Sequence, residues 1–126
     1  MSDIEEAEAW LRSAEYLLGY EELGRARFTV AVGEAIHSMM RANDALTLKF
    51  LQRRSTRHED APRLFKDLLT QHKIPAKYAG FRDALGDAVA DKSDFDYKAR
   101  VASKDEAERR IRTARQFLTA VREILS

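Results

Sequence analysis

The sequence contains no cysteine, and this absence excludes disulfide frameworks, cysteine-ligated metal centres and thiol nucleophiles. Only five glycines and two prolines interrupt it, so helices are the expected secondary structure. No apolar run approaches the roughly 20 residues that a membrane-spanning helix needs, and the acidic opening segment is unlike a signal peptide. We therefore expect a cytoplasmic protein that does not associate with membranes.

The sequence also lacks a charge excess, because 22 lysines and arginines stand against 21 aspartates and glutamates. No global field is therefore expected to recruit nucleic acid. The charges are unevenly distributed along the chain. Residues 1–22 contain seven acidic residues and one basic residue, whereas residues 98–126 contain eight basic and four acidic residues. The first and last helices are expected to complement each other, within one chain or between two.

Apolar periodicity predicts an all-α fold, an up-and-down helical bundle of four long helices plus a shorter one. The length suits a single domain over residues 1–126. Ser2-x-x-Glu5 and Ser103-x-x-Glu106 are capping-box patterns that open the first and last helices.

The middle of the chain divides into helices and polar connections. The second helix is predicted from about Arg25 to Gln52, and Pro62 and Pro75 mark two further helix starts. Residues 53–60, which we call the basic loop, and residues 91–102 are predicted to be polar connections.

A homodimer is expected from the polar side of the second helix. Val30 and Leu48 lie there among charged residues, and the small residues Ala31, Ser38 and Ala45 lie beside them. Small residues let helices approach closely, and isolated apolar residues among charges suit a partly polar interface.

Glu34-x-x-His37 on the second helix has the spacing by which carboxylate-bridged di-metal bundles present their ligands. Such a site needs this pair twice and two further glutamates, and the sequence contains the pair once. At about 100° per residue, Glu34, His37, Arg41 and Asp44 fall opposite the apolar stripe of the helix. The pattern therefore indicates a solvated face of charge pairs, and no metal is expected.

The basic loop contains Arg53, Arg54, Arg57 and His58. In Arg53-x4-His58, His58 is a candidate general acid/base that takes the proton from an RNA 2′-hydroxyl, and Arg53 a candidate for stabilising the pentacoordinate phosphate. About one such pair is expected by chance at this arginine content, and capping of the helix C-terminus by cations also explains the cluster. If the loop is functional, Arg53, Arg54 and Arg57 are its candidate phosphate ligands.

Asp94-Phe95-Asp96-Tyr97 lies in the second polar connection. We expect its aromatic side chains to hold that connection against the bundle. Its carboxylates, together with Glu59, are the expected counter-charges of the basic loop or of Arg100. No glycine-rich phosphate loop or nucleophile elbow is present, so no cofactor is expected.

These features follow an order that identifies a family resemblance. An opening helix of the type AEAWLRSAEYLL precedes the long helix VAVGEAIHSMMRANDALTLKFL, and His58 follows in the next loop. Asp96-Tyr97 then precedes SKDEAERRIRTARQFLTAVREIL, whose closing Ala-x-x-Phe-Leu is Ala114, Phe117 and Leu118. This order resembles the small stand-alone HEPN domain proteins of bacteria and archaea over nearly the whole chain.

The resemblance implies a helical bundle, usually dimeric and often encoded beside a minimal nucleotidyltransferase partner. Many HEPN proteins are metal-independent ribonucleases, often toxins, that use an Arg-x4–6-His motif at the dimer cleft. Carried over, Arg53 would stabilise the phosphate and His58 would be the general acid/base, with Asp96 and Tyr97 in support. Other members bind partners without catalysis. A non-catalytic nucleotide-binding or protein-binding subunit of a HEPN–nucleotidyltransferase pair is therefore the alternative.

Overall fold

The structure, a computed structural model, describes residues 2–126, and in that range it contains five α-helices and no strand. The helices are α1 (Asp3–Leu18), α2 (Ala26–Leu51), α3 (Asp60–Thr70), α4 (Phe81–Tyr97) and α5 (Lys104–Leu125). Short 3-10 turns at Glu21–Leu23 and Ala76–Tyr78 precede α2 and α4. Four helices are long and α3 is shorter, so the predicted all-α bundle is confirmed.

The predicted caps hold the ends of the outer helices. The Ser103 hydroxyl accepts a hydrogen bond from the Glu106 N–H at 3.1 Å, and the Glu106 carboxylate accepts one from the Ser103 N–H at 3.3 Å. The Ser2 hydroxyl accepts from the Glu5 N–H at 3.2 Å. These bonds satisfy N–H groups that have no partner inside the first turn of a helix.

The central element of the bundle is α2, which packs against α1, α3, α4 and α5. Its predicted apolar stripe, from Phe28 to Leu46, is buried as expected. A helix that packs on several sides must bury more than one stripe. Ile36 and Met40, which lie outside the predicted stripe, are accordingly buried as well.

The prediction of a solvated face on α2 is wrong. Asp44 is only 5% exposed, and Glu34, His37 and Arg41 are partly buried. The reason is that α1 lies across this face, where Trp10 packs edge-on against His37 with ring centroids 4.5 Å apart. Charge pairing along one helix therefore did not indicate exposure here.

The second polar connection is shorter than predicted, because α4 continues to Tyr97. Ion pairs spaced by four residues support the extension, Lys92 with Asp96 at 3.0 Å and Asp94 with Lys98 at 3.3 Å. Phe95 packs against the core from this last turn, as expected, but Tyr97 is 86% exposed, so the prediction that both aromatic side chains hold the segment is wrong for Tyr97. The start of the helix was also misplaced, because Pro75 leads only into a 3-10 turn and α4 begins at Phe81.

Charge complementarity between the acidic α1 and the basic α5 is confirmed within one chain. Arg115 contacts Glu15 and Arg122 contacts Glu8, each at 2.8 Å. These pairs are largely exposed, so each contributes little to stability. In residues 2–126, no helix is both long and apolar enough to cross a membrane.

The surface expected to form the dimer is only partly as predicted. Val30 is 50% exposed and Leu48 is 41% exposed. They are about five helical turns apart and so lie on the same face of α2. Ala31 and Ser38 are instead fully buried, and the Ser38 hydroxyl donates to the Ala7 carbonyl at 2.7 Å. These two small residues serve the packing of α1 on α2 within the chain.

The homodimer stays a prediction, with Leu48 as its test. We expect light scattering at tens of micromolar to give twice the 14.4 kDa chain mass. Leu48→Asp should shift the protein towards monomer, because a carboxylate would be desolvated in the interface. Tyr16→Asp, at an exposed position on α1, is the matched control and should leave the mass unchanged. A wild-type mass of one chain contradicts the prediction.

Candidate functional site

The loop between α2 and α3 is tied to the rest of the protein by a set of charged side chains. We call Asp3, Glu6, Arg41, Asp44 and Arg54 the ionic cluster. Arg41 contacts Glu6 at 2.8 Å, Asp3 at 3.1 Å and Asp44 at 3.4 Å. Arg54 donates to Asp3 at 2.9 Å, and the Ser55 N–H donates to Asp44 at 3.2 Å. The cluster therefore joins the start of α1, the middle of α2 and the basic loop.

Burial dominates the electrostatics of Asp44, whereas the hydrogen bond from Arg41 lowers the pKa of Glu6 and the hydrogen bond to Asp3 raises the pKa of Arg54. Burial raises the pKa of Asp44 although the Ser55 N–H and the Arg41 charge both act to lower it. Removing a carboxylate from water is expensive, and its ion pairs repay that penalty only in part. The cluster consequently contributes a defined position for the loop more than it contributes net stability.

The direction that the loop takes brings two histidines together. His58, at the end of the basic loop, lies beside His37 of α2, with ring centroids 6.0 Å apart. Trp10 of α1 also packs edge-on against His37, with ring centroids 4.5 Å apart. Two imidazoles at this separation can act on neighbouring oxygens of one phosphodiester, one as base and the other as acid.

Two adjoining cavities open beside this pair, and Lys92 and Asp96 line both of them. The inner cavity has a volume of about 330 Å³ and contains His37. The outer cavity has a volume of about 320 Å³ and contains His58. The inner cavity is lined by Trp10, Thr29, Val30, Gly33, Glu34, His37, Lys92, Phe95 and Asp96, and the outer by His58, Glu59, Val89, Lys92, Ser93, Asp96 and Tyr97.

The environment of His37 favours its neutral form. Burial lowers the pKa of His37, and the neighbouring positive charge of His58 lowers it further. Arg41 and Lys92 act in the same direction, and only Glu6 opposes them. A histidine that is neutral at physiological pH can accept a proton.

The structure brings some of the predicted site residues together and separates others. His58, Asp96 and Tyr97 line the same outer cavity. Arg53 lines a different cavity, beside Asp67, Gln71 and Lys73. Within one chain the Arg53–His58 pair therefore does not share a cavity, and its joint catalytic role stays a prediction.

The other two arginines of the basic loop have carboxylate partners. Arg54 belongs to the ionic cluster, and Arg57 lies 3.6 Å from Glu59 in an exposed pair. Of the two partners expected for Asp94 and Asp96, the basic loop is wrong, and Arg100 is confirmed for Asp94 at 3.8 Å. Because α4 continues, Asp94 pairs with Lys98 and with Arg100, and Asp96 pairs with Lys92.

Sequence reasoning missed Asp3, Trp10 and Lys92 as parts of this site. Asp3 is one of the seven acidic residues of residues 1–22, and it is only 7% exposed. One sequence signal was available for the buried face of α2. Ile36 and Met40 flank the Glu34–Asp44 charge row, and a helix with apolar residues on both sides of such a row packs on more than one side.

Among the residues that the structure describes, no three histidine, aspartate or glutamate side chains are arranged to hold a metal ion. No protein-family model, curated protein or solved structure matches this chain. The function is therefore argued from the site itself.

We predict that Asp44 holds the basic loop. Asp44→Ala should lower the free energy of unfolding in urea by about 2 kcal/mol, because the partly buried Ser55 N–H loses its acceptor. Arg54→Ala should lower it much less, since its side chain is half exposed. Trypsin should also cleave after Arg53 or Arg57 faster in Asp44→Ala than in wild type. Equal losses in the two variants would show that Asp44 has no special role.

We also predict a low pKa for His37 in solution. Its NMR titration midpoint should lie below about 6.5, the ordinary histidine value. His58→Gln should raise that midpoint, because it removes the nearby cation, but not fully to the ordinary value, because Trp10 still buries the ring. His37→Gln assigns the resonance. A midpoint unmoved by His58→Gln would mean that the two rings do not interact.

Proposed function

We propose that this protein is a HEPN-like ribonuclease that cleaves RNA without a metal ion. The observation that carries the proposal is the adjacency of His37 and His58, 6.0 Å apart, at cavities that share Lys92. The order of the opening helix, His58, the Asp96-Tyr97 pair and the closing helix, which resembles HEPN proteins, supports it as well.

His37 is the proposed general base. Its lowered pKa leaves it neutral at physiological pH, so it can take the proton of a ribose 2′-hydroxyl. The 2′-oxygen then forms a bond to phosphorus as the bond from phosphorus to the 5′-oxygen of the next nucleotide breaks. The products are a 2′,3′-cyclic phosphate and a free 5′-hydroxyl.

His58 is the proposed general acid, and Lys92 the proposed electrostatic group. The imidazolium of His58 gives its proton to the departing 5′-oxygen, so one proton is taken up and one is released. Lys92, whose ammonium pairs with Asp96 at 3.0 Å, lines both cavities. There it can stabilise the negative charge that accumulates on the non-bridging phosphate oxygens.

One observation favours the alternative, a non-catalytic subunit that binds a nucleotide or a nucleotidyltransferase partner. Arg53 and His58, the pair expected from the HEPN resemblance, line separate cavities in one chain. A dimer could still supply Arg53 from a second copy. The alternative predicts no RNA cleavage, and loss of phosphate binding in an Arg53/Arg54/Arg57 triple alanine variant.

The deciding experiment is incubation of the purified protein with mixed RNA in EDTA. Wild type should produce fragments that end in a 2′,3′-cyclic phosphate. His37→Ala and His58→Ala should each lose at least about 100-fold in rate, the usual contribution of a general acid or base. Lys92→Ala should lose about 100-fold through the missing charge.

His72→Ala is the matched control. His72 is the third histidine of the chain and lies exposed after α3, so its loss should leave cleavage unchanged. Cleavage that survives His58→Ala, or that stops in EDTA, contradicts the proposal. Arg53→Ala separates the two versions of the site. A loss of about 100-fold would assign Arg53 the transition-state role predicted from the sequence, whereas an unchanged rate would leave that role to Lys92 alone.

A further inference from the structure

We propose that the inner cavity binds a guanine base, so that the protein cleaves RNA on the 3′ side of guanosine. This inference rests on the proposed function, because it assigns the base specificity of the same site. It also makes a separate prediction about binding, which does not require cleavage.

The walls of the inner cavity suit a nucleobase. Trp10 of α1 and Phe95 of α4 both line it, and aromatic side chains are the usual surfaces on which proteins stack unpaired bases. Its volume of about 330 Å³ lies at the small end of ligand sites, which span roughly 300–1,000 Å³. A single base, rather than a larger ligand, fits these dimensions.

Glu34 supplies the discriminating group. It lines the inner cavity, and its Oε2 atom is buried without a hydrogen-bond partner, so the Glu34 carboxylate must turn towards the cavity for both of its oxygens to meet a ligand. A buried acceptor without a donor is costly, so a ligand that brings N–H groups to it is favoured. An ionised carboxylate accepts only, and it binds best to two parallel donors.

Guanine is the base that offers two such donors. Its N1–H and its exocyclic amino group stand side by side on the Watson–Crick edge. Adenine and cytosine place a bare ring nitrogen beside their amino group, and uracil flanks its single N–H with two carbonyls. Each of those acceptors would face the Glu34 carboxylate and be repelled by it.

Two further contacts agree with this orientation. Thr29 lines the same cavity and accepts a hydrogen bond from the Ala102 N–H at 3.0 Å. Its own O–H therefore stays a donor, suited to the guanine O6 next to N1. His37 lies one helical turn after Glu34. A guanine bound to Glu34 therefore places the 2′-hydroxyl of its own ribose near His37, the proposed general base.

The test uses the only tryptophan of the chain, Trp10, which lines the cavity. The full-length protein is titrated with the four ribonucleoside monophosphates to millimolar concentration, with inner-filter correction against N-acetyltryptophanamide. GMP should quench the fluorescence and bind at least about tenfold more tightly than AMP, CMP or UMP, the discrimination typical of one bidentate pair. Inorganic phosphate alone should leave the fluorescence unchanged.

Glu34→Gln tests the assigned residue with almost no change of shape. It should weaken GMP binding at least about tenfold, because the amide NH2 faces the guanine donors. Glu108→Gln on α5, far along the chain from the cavity residues, should bind GMP as wild type does. Circular dichroism checks that both variants remain folded.

The outcomes separate this inference from the proposed function. GMP-selective quenching without RNA cleavage would support the guanine-binding pocket and contradict the proposed ribonuclease activity. RNA cleavage at all four bases, with no quenching by GMP, would support the proposed ribonuclease activity and contradict the guanine-binding pocket. Equal quenching by all four nucleotides, or selectivity that survives Glu34→Gln, would also overturn the assignment of guanine to Glu34.

Discussion

The arrangement of this protein depends on the position of one guanidinium group. Arg41 projects from the middle of α2 and contacts Asp3 and Glu6 of α1 and Asp44 of its own helix. Asp3 in turn accepts from Arg54, and Asp44 accepts from the Ser55 backbone. Asp3 and Asp44 are buried, and a loop in another position would remove one polar partner from each of them and leave only Arg41. The ionic cluster therefore selects a single path for the basic loop.

That path explains how the two histidines of the site come together. Once Arg54 is held by Asp3, the loop continues towards α4 and places His58 beside His37. Trp10 then shields His37 from water, so the same covering by α1 that buries the charged row also lowers the pKa of the histidine. The packing of α1 on α2 is therefore the cause both of the burial of this face and of the lowered pKa of His37.

The extra turns of α4 supply the remaining groups. Lys92, whose ammonium pairs with Asp96 along the helix, lines both the inner and the outer cavity. Arg100 ties the end of α4 to the start of α5 through Asp91 and Glu106. The α4 wall of both cavities is consequently built on a helix, which holds side chains more rigidly than a loop does, whereas His58 and Glu59 of the outer cavity belong to the basic loop.

Much of the fold was predictable because helix formation is local. Apolar spacing, the Ser103 capping box and the scarcity of glycine and proline act within a few residues of one another, and they indicated the bundle correctly. The last turns of α4 were missed because their polar composition resembles a loop. Only the packing of Phe95 and the pairs between successive turns show that the helix continues.

The sequence by itself therefore determined that the chain forms a helical bundle, the presence of a basic loop and the identity of His58 as a candidate, but not the bounds of α4. It did not determine which carboxylates face that loop, nor that His37 is covered, because Asp3 and Trp10 are distant from both in the chain. Contacts between residues far apart in sequence depend on which faces of the helices meet, and that is decided only when several apolar stripes are buried together. The tertiary structure thus converted a row that looked like a solvated helix face into the interior wall of the site.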